Sequence, residues 1–331
     1  MARSTSTPTI ATVADAAGVS VATVSRVVRG HPDVRATTRE EVLRVIAELK
    51  YRPSPLARAL VTGRSRTLGL LVSDLANPFY PALAKAIEAR ALEADHLVVI
   101  CNTMDDPDIT RRSVERLVDL RVAAIIHATV GPEESAVREA VGDIPLIYVN
   151  RRPSDPDSVS VVMDNQLGGA LLARHLIERG HRRISLIAGP DSSSISNDRV
   201  EGFRAEIARR ASPVQFDVLH TDLSRQQVAS AAKELLERPA PPTAVVGTND
   251  MVAIEAMEVF RVAGRSIPGD LALAGFDDIE LARSRMIDLT SVAQDVDFLA
   301  RGTVAAAIGE APEGSPAPGV PTLKVRGSTG G

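Results

Sequence analysis

A single cysteine, Cys101, is the only thiol in a chain of 331 residues, so no internal disulfide can form. That fits a reducing compartment, with the thiol read as a packed core group at a strand end. Long hydrophobic runs are missing as well. None reaches the roughly 18 residues that a membrane-spanning helix needs, and Met1 to Thr12 carries Ser, Thr and one Arg but no apolar core of the kind found in a secretory signal. The expectation is a cytoplasmic chain with no membrane partner. Signatures of catalysis are equally scarce: there is no Gly-x-Gly-x-x-Gly after a strand, no Gly-x4-Gly-Lys-Ser/Thr loop, no His-Glu-x-x-His and no Gly-x-Ser-x-Gly. The six histidines, among them His31, His96, His127, His175 and His181, are scattered without metal-ligand spacing. The chain therefore reads as a non-enzyme that uses neither cofactor nor metal.

What is present is a globular composition, 44% hydrophobic and 24% charged, too long for one core. The net charge of −4 is unevenly placed. Met1 to Arg66 holds 11 Lys and Arg against 5 Asp and Glu, and the rest holds 27 against 37. A basic head on an acidic body is the footprint expected when only the head approaches phosphates, although a solvated charged face produces the same count.

The first eight residues read as a frayed tail. Thr9 caps a helix to about Ala17, which Gly18 ends; Ser20 caps a second helix over Val21 to Val28, closed by Gly30 and Pro32. Thr38 and Glu41 have the spacing of a capping box for a third helix, with Val42, Val45, Ile46 and Leu49 on one face. Three short helices with a tight glycine turn between the first two spell a helix-turn-helix module over residues 9–52. A hinge over 53–66 follows, with Pro55 at a first helical position and Gly63 past the end, too short to be helical alone. From Thr67 apolar strand runs alternate with amphipathic helices: TLGLLVS, LVVICN, VAAIIH, PLIYVN, VSVVMD, RRISLIAG, PTAVVGTN and LALAGFDD. That alternation predicts an α/β body over 67–331, two lobes built on parallel sheets. Gly309 to Pro321 reads as a surface loop before a strand-like Thr322 to Arg326.

In the second helix, Val24, Val27 and Val28 are placed to face the module's core, leaving Val21, Ala22, Ser25, Arg26 and Arg29 outward. Arg26 can give two hydrogen bonds to a guanine, Val21 and Ala22 can touch thymine methyls, and Thr23 and Ser25 suit phosphates. One short amphipathic helix with an arginine is commonplace, so the helix alone does not decide. The whole run Val13-Ala14-Asp15-Ala16-Ala17-Gly18-Val19-Ser20-Val21-Ala22-Thr23-Val24-Ser25-Arg26-Val27-Val28, however, resembles the helix-turn-helix of the lactose and galactose repressor family (LacI/GalR). Thr38-Arg39-Glu40-Glu41-Val42, Tyr51-Arg52-Pro53, Leu56-Ala57-Arg58-Ala59-Leu60 and Asn77-Pro78-Phe79-Tyr80 extend the resemblance, which runs to Ser328-Thr329. It implies a transcriptional regulator, a repressor by preference, whose two-lobed body has the periplasmic-binding-protein fold. Val21, Ala22 and Arg26 take base-reading positions, Arg58 joins the DNA contacts, and Leu60 takes the place of a leucine wedged into the minor groove. One module reads too few base pairs for selectivity, so a homodimer on a pseudo-palindromic duplex is expected, with a tetramer left open.

Ligands of open parallel sheets bind beyond the carboxyl ends of the strands. Asp74 and Asn77, Asn102 and Asp105, Asn150 and Arg151, Asp164, Asp191, Asn249 and Asp250, and Asp277 and Asp278 all fall there, and any one of the Asp or Asn residues could instead cap a helix or turn. The resemblance selects Asp164, Arg199, Asn249 and Asp277 as effector contacts, with Asp74, Asn77 and Phe79 closing from the other lobe. Leu223 stands where several sugar-sensing relatives have a stacking aromatic, which leaves Phe79 as the apolar platform. A sugar or sugar derivative is the favoured effector. The competing readings are a transport-associated sugar-binding protein, which would start with an export signal and lack the recognition helix, and a sugar kinase or isomerase.

Overall fold

The computed structural model describes residues 8–28, 31–51, 65–129, 134–311 and 314–330, and the chain divides after Arg66 into two compact units. The first unit holds α1 (Ile10–Ala16), α2 (Val21–Val28) and α3 (Ala36–Glu48). At the start of α1 the Thr12 N–H donates to the Thr9 hydroxyl at 3.3 Å and the Thr9 N–H donates to the Thr12 hydroxyl at 2.9 Å. Gly18 takes a φ of +65° in the turn that follows, a conformation glycine adopts without penalty. The Ser20 hydroxyl then accepts the Thr23 N–H at 3.1 Å and opens α2. Val13, Val24 and Val42, one from each helix, are wholly buried and form the middle of this small core, with Ala14, Val27 and Val45 around them.

The capping box expected at Thr38 and Glu41 does not form. Nothing at Ala36 or Thr37 breaks a helix, so α3 runs upstream to Arg35, whose ψ of 139° ends it without a side-chain cap. Thr38 therefore lies inside the helix. Glu41 instead accepts from Arg44, which also reaches Glu48.

The second unit has two lobes. In the first, strands β1 (Thr67–Val72), β2 (Leu97–Asn102), β3 (Ala124–Ala128), β4 (Leu146–Val149) and β5 (Ser160–Val161) lie in the order β2-β1-β3-β4-β5, all parallel. Helices α4 (Phe79–Glu93), α5 (Pro107–Asp119) and α6 (Glu134–Val141) accompany them. The second lobe contains α7 (Asn165–Glu178), β6 (Arg183–Ala188), α8 (Ser194–Ala208), β7 (Gln215–His220), α9 (Arg225–Glu237), β8 (Ala244–Gly247), α10 (Asp250–Val262), β9 (Ala272–Asp277) and β10 (Thr290–Ala293). The chain then returns to the first lobe as α11 (Val296–Ala307), where Arg90 of α4 bonds Asp297 at 2.6 Å, and finally crosses back as β11 (Thr322–Lys324). The second sheet runs β11-β10-β9-β8-β6-β7, with β11 antiparallel to its neighbour.

Two strands escape the sequence pattern. β7 is an edge strand, half-exposed along its length, and its polar residues break the apolar run. β10 is buried but built on Thr290 and Ser291, whose hydroxyls donate to the Arg326 carbonyl and to Asp250. The segment read as a loop before β11 is stitched to the lobe junction: the Asp164 N–H donates to the Gly319 carbonyl at 2.8 Å, and the Gly319 N–H to that of Val162 at 2.9 Å.

His127, on β3, is fully buried with its Nε2 3.3 Å from the Thr129 hydroxyl, and its ring centroid lies 5.4 Å from that of Tyr148. Burial, helped by the charge of Arg151, pulls its pKa down to about 3. The unfolded chain, with an ordinary histidine, binds the proton first on acidification. His127 thus contributes stability that is complete above about pH 6.5 and fades as the pH falls toward 3. Between pH 6 and pH 4 the parent should lose about 2 kcal/mol more than His127→Gln in urea unfolding. Parallel pH profiles of the two proteins would remove the assignment.

Candidate functional site

Within the first unit α1 and α2 meet at 106°, in the range of a helix-turn-helix. Because α2 gives Val24 and Val27 to the core, the opposite face is left to solvent: Val21 is 46% exposed, and Ala22 and Arg26 are exposed beside it. The Arg26 carbonyl accepts from the His31 N–H at 3.0 Å, but its side chain has no hydrogen-bond or salt-bridge partner among the described residues, so the guanidinium is available for a bidentate contact. Ser25 is half-buried and has a partner of its own. The Thr23 hydroxyl lies 2.9 Å from that of Ser20, engaged at the helix start rather than free. Arg29, Arg58 and Leu60 lie outside the described residues.

In the second unit the polar residues gather where the carboxyl ends of the strands of the two lobes meet. Arg199 reaches this place because α8 lies unusually close to α7. A Cβ added at Gly202 would stand 1.9 Å from the Gln166 carbonyl oxygen, and one at Gly169 2.0 Å from that of Arg199 itself. Arg199 is 5% exposed and donates from Nε to Asn165 Oδ1 (2.9 Å), from Nη1 to the Thr248 carbonyl (2.5 Å) and from Nη2 to Asp277 Oδ1 (3.3 Å). The ring of Phe276 lies beneath it, 3.6 Å from the guanidinium carbon to the centroid. Gln294 also donates to Asp277 Oδ1 at 2.6 Å, while its own Oε1 is buried with no partner among the described residues. Burial pushes the Asp277 carboxyl up, and the Arg199 charge pulls it back. A guanidinium stays protonated in such surroundings, and it balances the carboxylate beside it.

Asp277 is aimed by a strained turn. Its φ is +106° and that of Asp278 is +53°, both in the left-handed region that non-glycine residues avoid. Side chains hold the turn: the Asp278 N–H donates to Ser291 Oγ at 3.0 Å, Ser291 Oγ donates to Asp250 Oδ1 at 2.6 Å, and the Ile279 N–H donates to Asp250 Oδ2 at 2.8 Å. Arg283 and Arg326 bind the Asp278 carboxylate. From the first lobe, the buried Tyr80 lies within electrostatic reach of both Asp277 and Arg199, and burial raises its hydroxyl pKa above the usual range.

The structure thus brings Arg199 and Asp277 together, as the sequence suggested. The other expected effector residues have local uses. Asp164 caps α7 by accepting the Leu167 N–H (2.8 Å), and Asn249 caps α10 by accepting that of Val252 (2.9 Å). Asp74 accepts from the Ala76 N–H (2.9 Å) and Asn77 from that of Phe79 (3.1 Å), shaping the turn into α4. Phe79 is 3% exposed and packs edge-on against Tyr80, with centroids 5.5 Å apart, rather than offering an open face. Tyr80, Asn165, Thr248, Asp250 and Gln294 were not singled out from the sequence as effector contacts. Tyr80, Asn165, Thr248 and Asp250 each had a local signal, since each adjoins a named candidate; Gln294 had none and depends on which strands become neighbours.

Residues 9–54 match the family described as bacterial regulatory proteins, lacI family, and residues 65–297 match periplasmic binding proteins and sugar binding domain of LacI family. The chain is 36% identical over 295 residues to the HTH-type transcriptional regulator DegA of Bacillus subtilis (strain 168), covering 87% of this chain and 87% of that protein. It is 32% identical to the ribose operon repressor of Escherichia coli (strain K12), covering 88% and 89% respectively. Among solved structures it resembles a lac repressor dimer bound to operator and the anti-inducer ONPF, with a TM-score of 0.83 at 29% identity over 98% of this chain and 99% of that one. A complex of the transcriptional regulator CelR with cellobiose gives a TM-score of 0.72 at 28% identity over 97% and 99%.

Proposed function

Because the chain belongs to the LacI family of bacterial regulatory proteins, we propose that it represses transcription by binding a pseudo-palindromic duplex as a homodimer and that a small polyhydroxylated effector in the interlobe cleft releases it. The DNA-binding regulator is the family's function; the residue assignments are our own reading. The observation that carries them is the bare face of α2, where Val21 and Ala22 at the start of the helix and Arg26 in its last turn are exposed. Thr23 and Ser25 then serve phosphates, with Arg29, Arg58 and the minor-groove wedge Leu60 completing the contact. Residues 9–52 form the DNA-binding module, 53–66 the hinge and 67–331 the sensing and dimerising body. The protein works in the cytoplasm and performs no catalysis.

The effector reading rests on charge. The buried Arg199 is already balanced by Asp277, and the unfilled Gln294 Oε1 is an acceptor. Such a site suits hydroxyl donors better than an anion, which would meet acceptors without a surplus cation. The ribose and cellobiose named for the relatives fit that description. We assign Asp74, Asn77, Phe79, Asp164 and Asn249 to the same effector site on the strength of the family resemblance, with their local contacts kept.

The direct test selects an operator from a random duplex library and compares the parent with Arg26→Ala. The variant should lose about 1 to 3 kcal/mol on the selected operator and discriminate less at one symmetric base pair. An equal loss on unselected DNA would reduce Arg26 to a phosphate contact.

A further inference from the structure

Apart from the chain crossings, the two lobes are tied where the loop after β4 meets the first turns of α8. Arg152, in that loop of the first lobe, places Nη2 3.0 Å from Asp198 Oδ2 of the second, an ion pair without hydrogen-bond alignment, since that buried oxygen accepts no hydrogen bond among the described residues. The backbone N–H of the same residue donates to the Ser194 hydroxyl at 3.1 Å. Ser194 and Asp198 are one helical turn apart, so one residue of the first lobe grips two points on a single face of α8. The Asp198 side chain is 15% exposed and that of Arg152 53%, so the carboxylate is the partner that depends on the contact. Burial pushes the Asp198 carboxyl up, the neighbouring Asp164 adds to this, and Arg152 opposes both. Gln166 of α7 donates to the other Asp198 oxygen at 3.4 Å, which anchors the carboxylate to its own lobe.

We propose that Arg152 and Asp198 form a brace across the lobe junction that fixes the rotation of one lobe against the other. Its place matters. Asp164 follows directly on the crossing from β5 to α7, so the brace stands beside a crossing strand of the chain, where a rotation moves atoms least. A hinge motion large enough to separate this pair by a few ångström displaces the far ends of the lobes by much more. The contact therefore acts through its energy rather than its reach, and it adjoins Arg199, the residue that binds Asp277. Neither the operator nor the effector enters the argument, so the brace can stand or fall separately from the function proposed above.

The test measures interlobe distance in the full chain, with labelled protein mixed into an excess of unlabelled protein so that a homodimer carries at most one labelled protomer. With Cys101→Ser as background, spin labels are attached at Arg112→Cys on α5 and Lys233→Cys on α9, both exposed sites in different lobes. Pulsed dipolar spectroscopy should give one narrow distance for the parent. Arg152→Ala and the nearly isosteric Asp198→Asn should each broaden it and shift it by several ångström, with the helical circular dichroism unchanged. The double variant should go no further than either single one, because both remove the same interaction. Singles that keep the narrow parental distance, effects that simply add in the double variant, or a parent already broad would each overturn the brace.

Discussion

Replacing Arg199 with alanine is expected to lower the stability of the sensing unit by about 3 to 5 kcal/mol, because it leaves the Asp277 carboxylate buried with only the Gln294 amide for company. The same change strands Asn165 Oδ1 and the Thr248 carbonyl, both of which accept from the lost guanidinium. In thermal unfolding of the full chain the fall should be on the order of 10 °C. Asp277→Asn should cost less, since an amide oxygen can still accept from Arg199. Both should weaken the response to an effector, but only the arginine variant should be markedly less stable. An Arg199→Ala protein melting within two or three degrees of the parent would show that the pair is not a structural member of the lobe. From sequence alone these two residues read as ligand contacts; their burial shows that each also holds the lobe together.

A second large effect is expected from adding one methyl group. Gly202→Ala would put a Cβ 1.9 Å from the carbonyl oxygen of Gln166, a backbone atom that cannot swing aside as a side chain can. The only relief is for α8 to move away from α7, at a cost of about 3 kcal/mol or more for overpacking a well-filled site. The shift would carry Arg199 off Asn165, now 2.9 Å away. Gly169→Ala should behave alike, since its Cβ would strike the Arg199 carbonyl at 2.0 Å. Gly168 differs: its Cβ would meet the ring of Phe276 at 2.5 Å, a side chain with some freedom to give. Melting curves of the three variants should therefore rank Gly168→Ala as the mildest. Equal and small losses at all three positions would mean the helices separate freely.

Much of this architecture could be read before any coordinates. The glycine turn at Gly18, the Ser20 cap and the valines of α2 announce the reading helix because each signal is local. The parallel strands announce themselves through runs of Val, Ile and Leu that are buried on both faces. What stayed hidden was long-range. Gln294 reaches Asp277 because β10 pairs with β9, and β10 escaped notice because it fills its place in the core with hydroxyls that find distant partners. Asp164, Asn249, Asp74 and Asn77 show the opposite limit, since a residue beyond a strand and before a helix serves as cap or as ligand contact from the same position.

The return of α11 to the first lobe also sets an order of events during synthesis. Leu299, Ala300 and Val304 of that helix are buried in the first lobe's core, yet they are translated after every strand from β6 to β10. At ordinary elongation rates the first five strands emerge on the order of ten seconds before the helix that covers them. During that interval the nascent lobe presents the apolar surface of β4 and β5 uncovered, which makes it a natural client for a chaperone. A stop codon placed just before Val296 would damage the first lobe, whose own sheet had been complete since Val161.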